Sequence, residues 1–184
     1  LFKFHVAPQQ GEQVTQNNGR DAMVEVGDRR ERVLYMEGEP RPEMKFIRRA
    51  VGDDPNLSVT ILQRTAEDKY LRLDVGSPDE VVGGFPKTRE ELFAYRAIIL
   101  GSVEAASFTP DQLRMLADFV SKRGGSLLML GGRRSFAEGG WAGTPVAEVL
   151  PVEFDGGARG TNNAAGYFAH LTVQPTQAGA VYPV

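Results

Sequence analysis

Residues 96–130 read RAIILGSVEAASFTPDQLRMLADFVSKRGGSLLML. An apolar run, RAIILG at 96–101, leads through a helix to a second apolar run, SLLML at 126–130. The helix is marked at both ends. Thr109 is its N-cap, Pro110 sits at N1 and Gln112 at N3, the pattern of a capping box. Leu113, Leu116, Ala117 and Val120 line one face. Lys122 and Arg123 occupy the last turn, where the helix dipole favours cations, and Gly124 stops it. RAIILG is apolar enough to be a central strand of a parallel sheet, and SLLML reads as the strand after the helix. Such a strand–helix–strand unit predicts parallel strands joined by a right-handed crossover.

The same texture extends upstream. VLYME, 33–37, is a buried strand. Pro40, Arg41 and Pro42 open a helix that runs through about Val51, with Pro42 near its first turn. Met44, Ile47 and Val51 form its inner stripe, Lys45, Arg48 and Arg49 its wet face, and Gly52 ends it. LSVTIL, 57–62, is a further strand. Together these predict a three-layer, doubly wound, mostly parallel α/β sheet. Residues 63–95 break the pattern as a long insertion, in which Thr88 and Glu91 suggest a short capped helix. An excursion of this length is expected to serve function or face a partner. Residues 145–149 read as a short helix, the stretch after Pro151 as irregular and glycine-rich, and FAHLTV, 168–173, as a late strand.

The amino-terminal segment is different. Phe2, Phe4 and Val6 alternate with Lys3 and His5, which predicts a strand with one buried face. Asn18-Gly19 signals a turn, and AMVEV, 22–26, a second strand. Two strands do not stabilise themselves in water, so they are expected to belong to a larger β domain or to pack on the α/β part of the chain. Residues 1–28 are therefore assigned to a β arm, 29–32 to a charged linker and 33–184 to the α/β domain. The start without methionine is expected of a piece cut from a longer chain.

Composition bounds the chemistry. The 184 residues carry a net charge of −3, which gives no general attraction to nucleic acid or to an anionic membrane. The longest apolar runs are of strand length and too short to span a bilayer. There is no cysteine, so disulfides, thiolate metal sites and a cysteine nucleophile are excluded. With only two histidines, His5 and His170, a site built on several histidines is not expected.

In an open α/β sheet, ligands bind beyond the carboxyl ends of the strands. After the first parallel strand stand Glu37, Glu39, Arg41 and Glu43. After the third stand Ser102 and Glu104, and after the fourth Gly132, Arg133, Arg134 and Ser135. Glu37, Glu39 and Glu43 suit acid–base work or a hard cation, or simply solvate a loop and complement a helix dipole. Ser102 and Ser135 are the available hydroxyl nucleophiles, but no G-x-S-x-G elbow surrounds either. A serine–histidine–acid set in the α/β part would have to use His170. GGRRSFAEGG, 131–140, offers glycine N–H groups and arginine forks to a phosphate or carboxylate. It is neither a P-loop nor a G-x-G-x-x-G turn, so no nucleotide cofactor is implied.

The stretches RVLYMEGEPRPEMKFIRRA and AIILGSVEAASFTPDQLRMLADFVSKRGGSLLMLGGRRSFAEGGWAGTPVAEVLPVEF resemble the class I glutamine amidotransferase-like domain of large bacterial membrane proteins. The resemblance covers residues 32–184 and is most specific over GGRRSFAEGGWAGTPVAEVLPV. It implies a flavodoxin-like fold and an extracytoplasmic, periplasmic module. It also implies two neighbours in a parent protein, a von Willebrand factor A-like domain and an immunoglobulin-like β-sandwich. Membrane contact would come only through that parent's transmembrane segments. GEQVTQNN then resembles the last strands of the sandwich, and the α/β domain is expected to continue past AGAVYPV. The family's nucleophilic cysteine falls at or beside Arg133, and His170 is followed by Leu171 and Thr172 rather than by a His-x-Glu pair. The resemblance thus implies the fold and the pocket's place without catalytic residues. The expected role is binding or assembly. The alternatives are a hydrolase or amidotransferase-like enzyme with a non-cysteine site, and a small-anion sensor built on Arg133 and Arg134.

Overall fold

A computed structural model of the chain describes residues 1–24 and 30–154. Strands β1 (Phe2–His5) and β2 (Gly19–Ala22) form an antiparallel hairpin with Phe2 opposite Ala22 and His5 opposite Gly19. The remaining strands make a five-stranded sheet in the spatial order β5-β4-β3-β6-β7. Its members are β3 (Glu31–Glu37), β4 (Leu57–Ala66), β5 (Lys69–Leu73), β6 (Ala97–Leu100) and β7 (Ser126–Met129). β4, β3, β6 and β7 are parallel, and only the edge strand β5 is antiparallel. The parallel part is the flavodoxin-like order, with its crossover point between β3 and β6.

Two layers of side chains cover the sheet. Helix α1 (Pro42–Gly52) lays Met44, Ile47 and Val51 over Tyr35, Val59 and Ile61. The opposite face holds the larger core, built on Leu34, Met36, Leu62, Ile98 and Leu100. Helix α2 (Arg89–Phe93) and helix α3 (Pro110–Ser121) close it with Leu92, Met115, Leu116 and Phe119. The capping box at Thr109 and Gln112 is present in full. Gln112 is buried, and its amide also donates to the carbonyls of Phe85 and Pro86, so one cap residue ties α3 to the preceding loop. Met115 and Phe119 carry the inner face of α3 in addition to Leu116, and Ala117 is only half-buried.

Four expectations change. The second amino-terminal strand lies at Gly19–Ala22, paired along β1, with Met23 and Val24 exposed beyond it; residues 25 and 26 of the expected 22–26 strand lie outside the described residues. Phe2, Phe4 and Val6 are exposed, since a two-stranded layer offers nothing to bury them. The 63–95 insertion is largely ordered. β4 runs on to Ala66, turns through Asp68 at φ 52° and returns as β5. The short helix predicted at 145–149 is a 3₁₀ turn at Ala147–Val149. FAHLTV and His170 lie outside the described residues.

Glu80 fastens the loop after β5 to the sheet. It accepts hydrogen bonds from Thr60, Tyr95, Arg32 and the Gly76 N–H. Burial works against its charge, yet these donors outweigh it and hold the carboxyl below its usual range. Glu104 is likewise lowered, burial being outweighed by backbone and Arg64 donors. A carboxyl lowered in the folded state stabilises the fold above its unfolded pKa of about 4.3. That stability drains as pH falls through the lower folded value. Urea midpoints should therefore drop below about pH 4, and Glu80→Gln should flatten that acid limb. An identical acid limb in wild type and variant would refute the assignment.

Candidate functional site

The carboxyl ends of β3, β6 and β7 meet around one buried carboxylate. Glu37, the last residue of β3, is fully buried. Its Oε1 accepts the N–H of Gly38 at 3.0 Å and of Ser102 at 2.9 Å. Its Oε2 accepts the Tyr35 hydroxyl at 2.7 Å and Arg41 Nε at 3.1 Å. The Glu39 N–H stands at 3.4 Å from Oε1. Tyr35 and Glu37 are two residues apart on one strand and therefore share a face. Burial, followed by the Glu37 hydrogen bond, pushes the Tyr35 hydroxyl well above its ordinary pKa, so it stays protonated and donates.

Arg41, the residue before α1, bridges the strands. Its Nη1 donates to the carbonyl of Gly131 beyond β7 at 2.6 Å. Its Nη2 is 3.0 Å from Glu37 Oε2, but its N–H directions miss that oxygen, leaving a buried donor without a hydrogen bond. Burial disfavours the guanidinium charge, and Glu37 more than offsets that cost, so the Arg41 pKa is raised.

Close packing requires glycine at two points. A side chain at Gly101 would place its Cβ 2.2 Å from Glu37 Oε2. A Cβ at Gly132 would lie 2.6 Å from Ser102 Oγ and 3.1 Å from Arg41 Nη1. Gly132, Ser102 and Arg41 therefore touch, although 91 positions separate the outer two in sequence.

Ser102 is fully buried, and its Oγ accepts the Arg134 N–H at 3.2 Å. Ser135 is also buried, and its Oγ lies 2.7 Å from the Leu130 carbonyl and 3.2 Å from that of Gly101. That hydroxyl is tied to backbone rather than poised for attack. Glu104 pairs with Arg64 at 2.6 Å and with Arg134 at 3.5 Å. Arg133 and Arg134 are exposed. Among the described residues Arg133 meets no carboxylate within ion-pair distance.

The predicted residues thus separate into two groups. Glu37, Arg41, Ser102, Gly132, Arg134 and Glu104 are linked by direct contacts. Glu39 brings only its backbone, and Glu43 is exposed in the first turn of α1. Glu37, Glu39 and Glu43 do not converge as a metal-binding group, and no such group occurs among the described residues. Tyr35, Arg64 and Gly101 were missed from sequence. The alternation that sets Tyr35 beside Glu37 was the one available signal.

After β7 the chain makes a series of turns rather than entering a helix. The non-glycine residue with left-handed backbone there is Phe136, at φ 52°, and not Arg133. A nucleophile elbow needs a strained residue between strand and helix, and neither feature stands at Arg133. A separate cavity of about 320 Å³, lined by Arg32, Glu80, Val81, Lys87 and Tyr95, sits at the amino ends of β3 and β6. It opens at the opposite end of the sheet from these residues.

The family model GATase1_like, described as "Putative glutamine amidotransferase", matches residues 54–172. No curated protein and no solved structure matches the chain.

Proposed function

This chain belongs to the glutamine amidotransferase-like family, and from that membership we propose a non-catalytic domain whose carboxyl-edge site serves binding or assembly. One observation carries the reading. A chain without cysteine has Arg133, on an ordinary turn, where its resemblance to active amidotransferases puts the nucleophile. Glutamine hydrolysis through a thioester needs a thiolate, and none is available. The hydroxyls nearest that turn, of Ser102 and Ser135, are buried in contacts with backbone. The carboxylate of Glu37 is occupied by an arginine, a tyrosine and backbone N–H groups. Each of these contacts favours a fixed frame over a turnover centre.

We further propose an extracytoplasmic setting, with β-sandwich and von Willebrand factor A-like domains as neighbours in a parent protein. The exposed Phe2, Phe4 and Val6 of the hairpin support a covering partner on that side. No helix among the described residues is long and apolar enough to cross a membrane.

The purified chain is expected to release no ammonia from glutamine above the uncatalysed rate. A coupled glutamate dehydrogenase assay measures this directly. Turnover that disappears on Arg133→Ala or Ser135→Ala would overturn the reading.

A further inference from the structure

We propose that the glycine turn after β7, with Arg133 and Arg134, binds a small oxyanion group, a carboxylate or a phosphate. The inference rests on the non-catalytic reading and gives its site a ligand class.

The first ground is an excess of donors. Ser102, fully buried and packed against Gly132, accepts the Arg134 N–H and fixes the turn in place. The N–H groups of Gly131, Gly132 and Arg133 meet no acceptor among the described residues. Three consecutive amides without an internal partner leave the turn rich in partial positive charge.

The second ground is charge. Arg41, Arg64, Arg133 and Arg134 surround this edge, while the facing carboxylates are already engaged. Glu37 is held by Tyr35, Arg41 and two backbone amides. Glu104 is held by Arg64 and Arg134. An anion finds the exposed Arg133 fork beside the unpartnered turn amides, and arginine matches planar oxyanions in two-point contacts.

The third ground is position. The turn lies at the carboxyl end of the sheet, beside the β3–β6 crossover where α/β sheets hold their ligands. Gly132 also lets backbone pass in contact with Ser102 and Arg41, which an added Cβ would prevent.

The test is isothermal titration of the intact chain, at constant ionic strength, with inorganic phosphate, succinate and a hexaglutamate peptide. Saturable binding of at least one is expected, in the micromolar to millimolar range. Arg133→Gln, an exposed change that should leave the fold intact, is expected to weaken it roughly tenfold or more. Arg49→Gln, on the outer face of α1, should leave it unchanged. Tighter binding of phosphate or succinate identifies a free small anion as the source. Tighter binding of the peptide identifies an acidic side chain of a partner protein. No saturable binding of any probe, or undiminished binding by Arg133→Gln, would overturn the site. Ammonia release from glutamine would end the non-catalytic reading without altering this titration. A flat titration would end the anion site and leave that reading standing.

Discussion

Glu37→Ala is expected to lower the unfolding free energy by about 3–5 kcal/mol, as removal of one partner of a buried ion pair does. The carboxylate is fully buried and joins Tyr35 and Arg41 to the backbone of Gly38 and Ser102. Its loss strands the Arg41 guanidinium, whose side chain is only 13% exposed. The Tyr35 hydroxyl and the Ser102 N–H lose their acceptor with it. Urea unfolding followed by far-UV circular dichroism measures the effect. The double change Glu37→Leu with Arg41→Met should cost less than Glu37→Ala alone, because no unpaired charge is left behind. A loss below about 1 kcal/mol for Glu37→Ala, the scale of an ordinary surface change, would show that this cluster does not hold the strand ends together.

Trp141→Ala is expected to cost about 3–5 kcal/mol, the range for deleting a buried indole. Trp141 is fully buried, its ring 5.5 Å from that of Phe108. Its Nε1 donates to the Val103 carbonyl at 2.9 Å. The neighbouring Gly139 carbonyl accepts the Ala105 N–H at 2.8 Å. The residue thus staples the turns after β7 onto the loop after β6, the two walls of the proposed anion site. Trp141→Phe should recover part of the packing while leaving the Val103 carbonyl without its donor. Thermal unfolding reports the stability, and the anion titration reports whether the walls still meet. Native stability in Trp141→Ala would show that the segment after β7 is held by other contacts.

Much of the parallel sheet was legible because its signals are local. The apolar runs at β3, β4, β6 and β7 need no knowledge of their neighbours, although β7, at the sheet edge, leaves Leu128 half exposed. The α3 cap was legible for the same reason. Thr109 and Gln112 are three residues apart and satisfy each other's backbone. β5 was not legible. Its sequence, KYLRL, comes after a turn built on Asp68 in place of the expected glycine or asparagine-glycine pair. Its charged residues read as solvated loop until β4 supplies the partner. The start of β2 at Gly19 was likewise not legible, because register is set across a loop by the opposing strand.

The sequence by itself determined which chemistry is absent and where β3, β6 and β7 end. Zero cysteines removes thiolate catalysis in any conformation, and the glycines at 38, 101 and 131 mark the ends of β3, β6 and β7 whatever the strand order. Tertiary structure decided which ends meet. Placing β3 between β4 and β6 brings Glu37 to the Ser102 amide, and placing β7 beside β6 brings Gly131 to Arg41. Those contacts join residues up to 90 positions apart. They hold because each buried charge meets a partner that offsets its desolvation, a long-range match that no local pattern in the chain encodes.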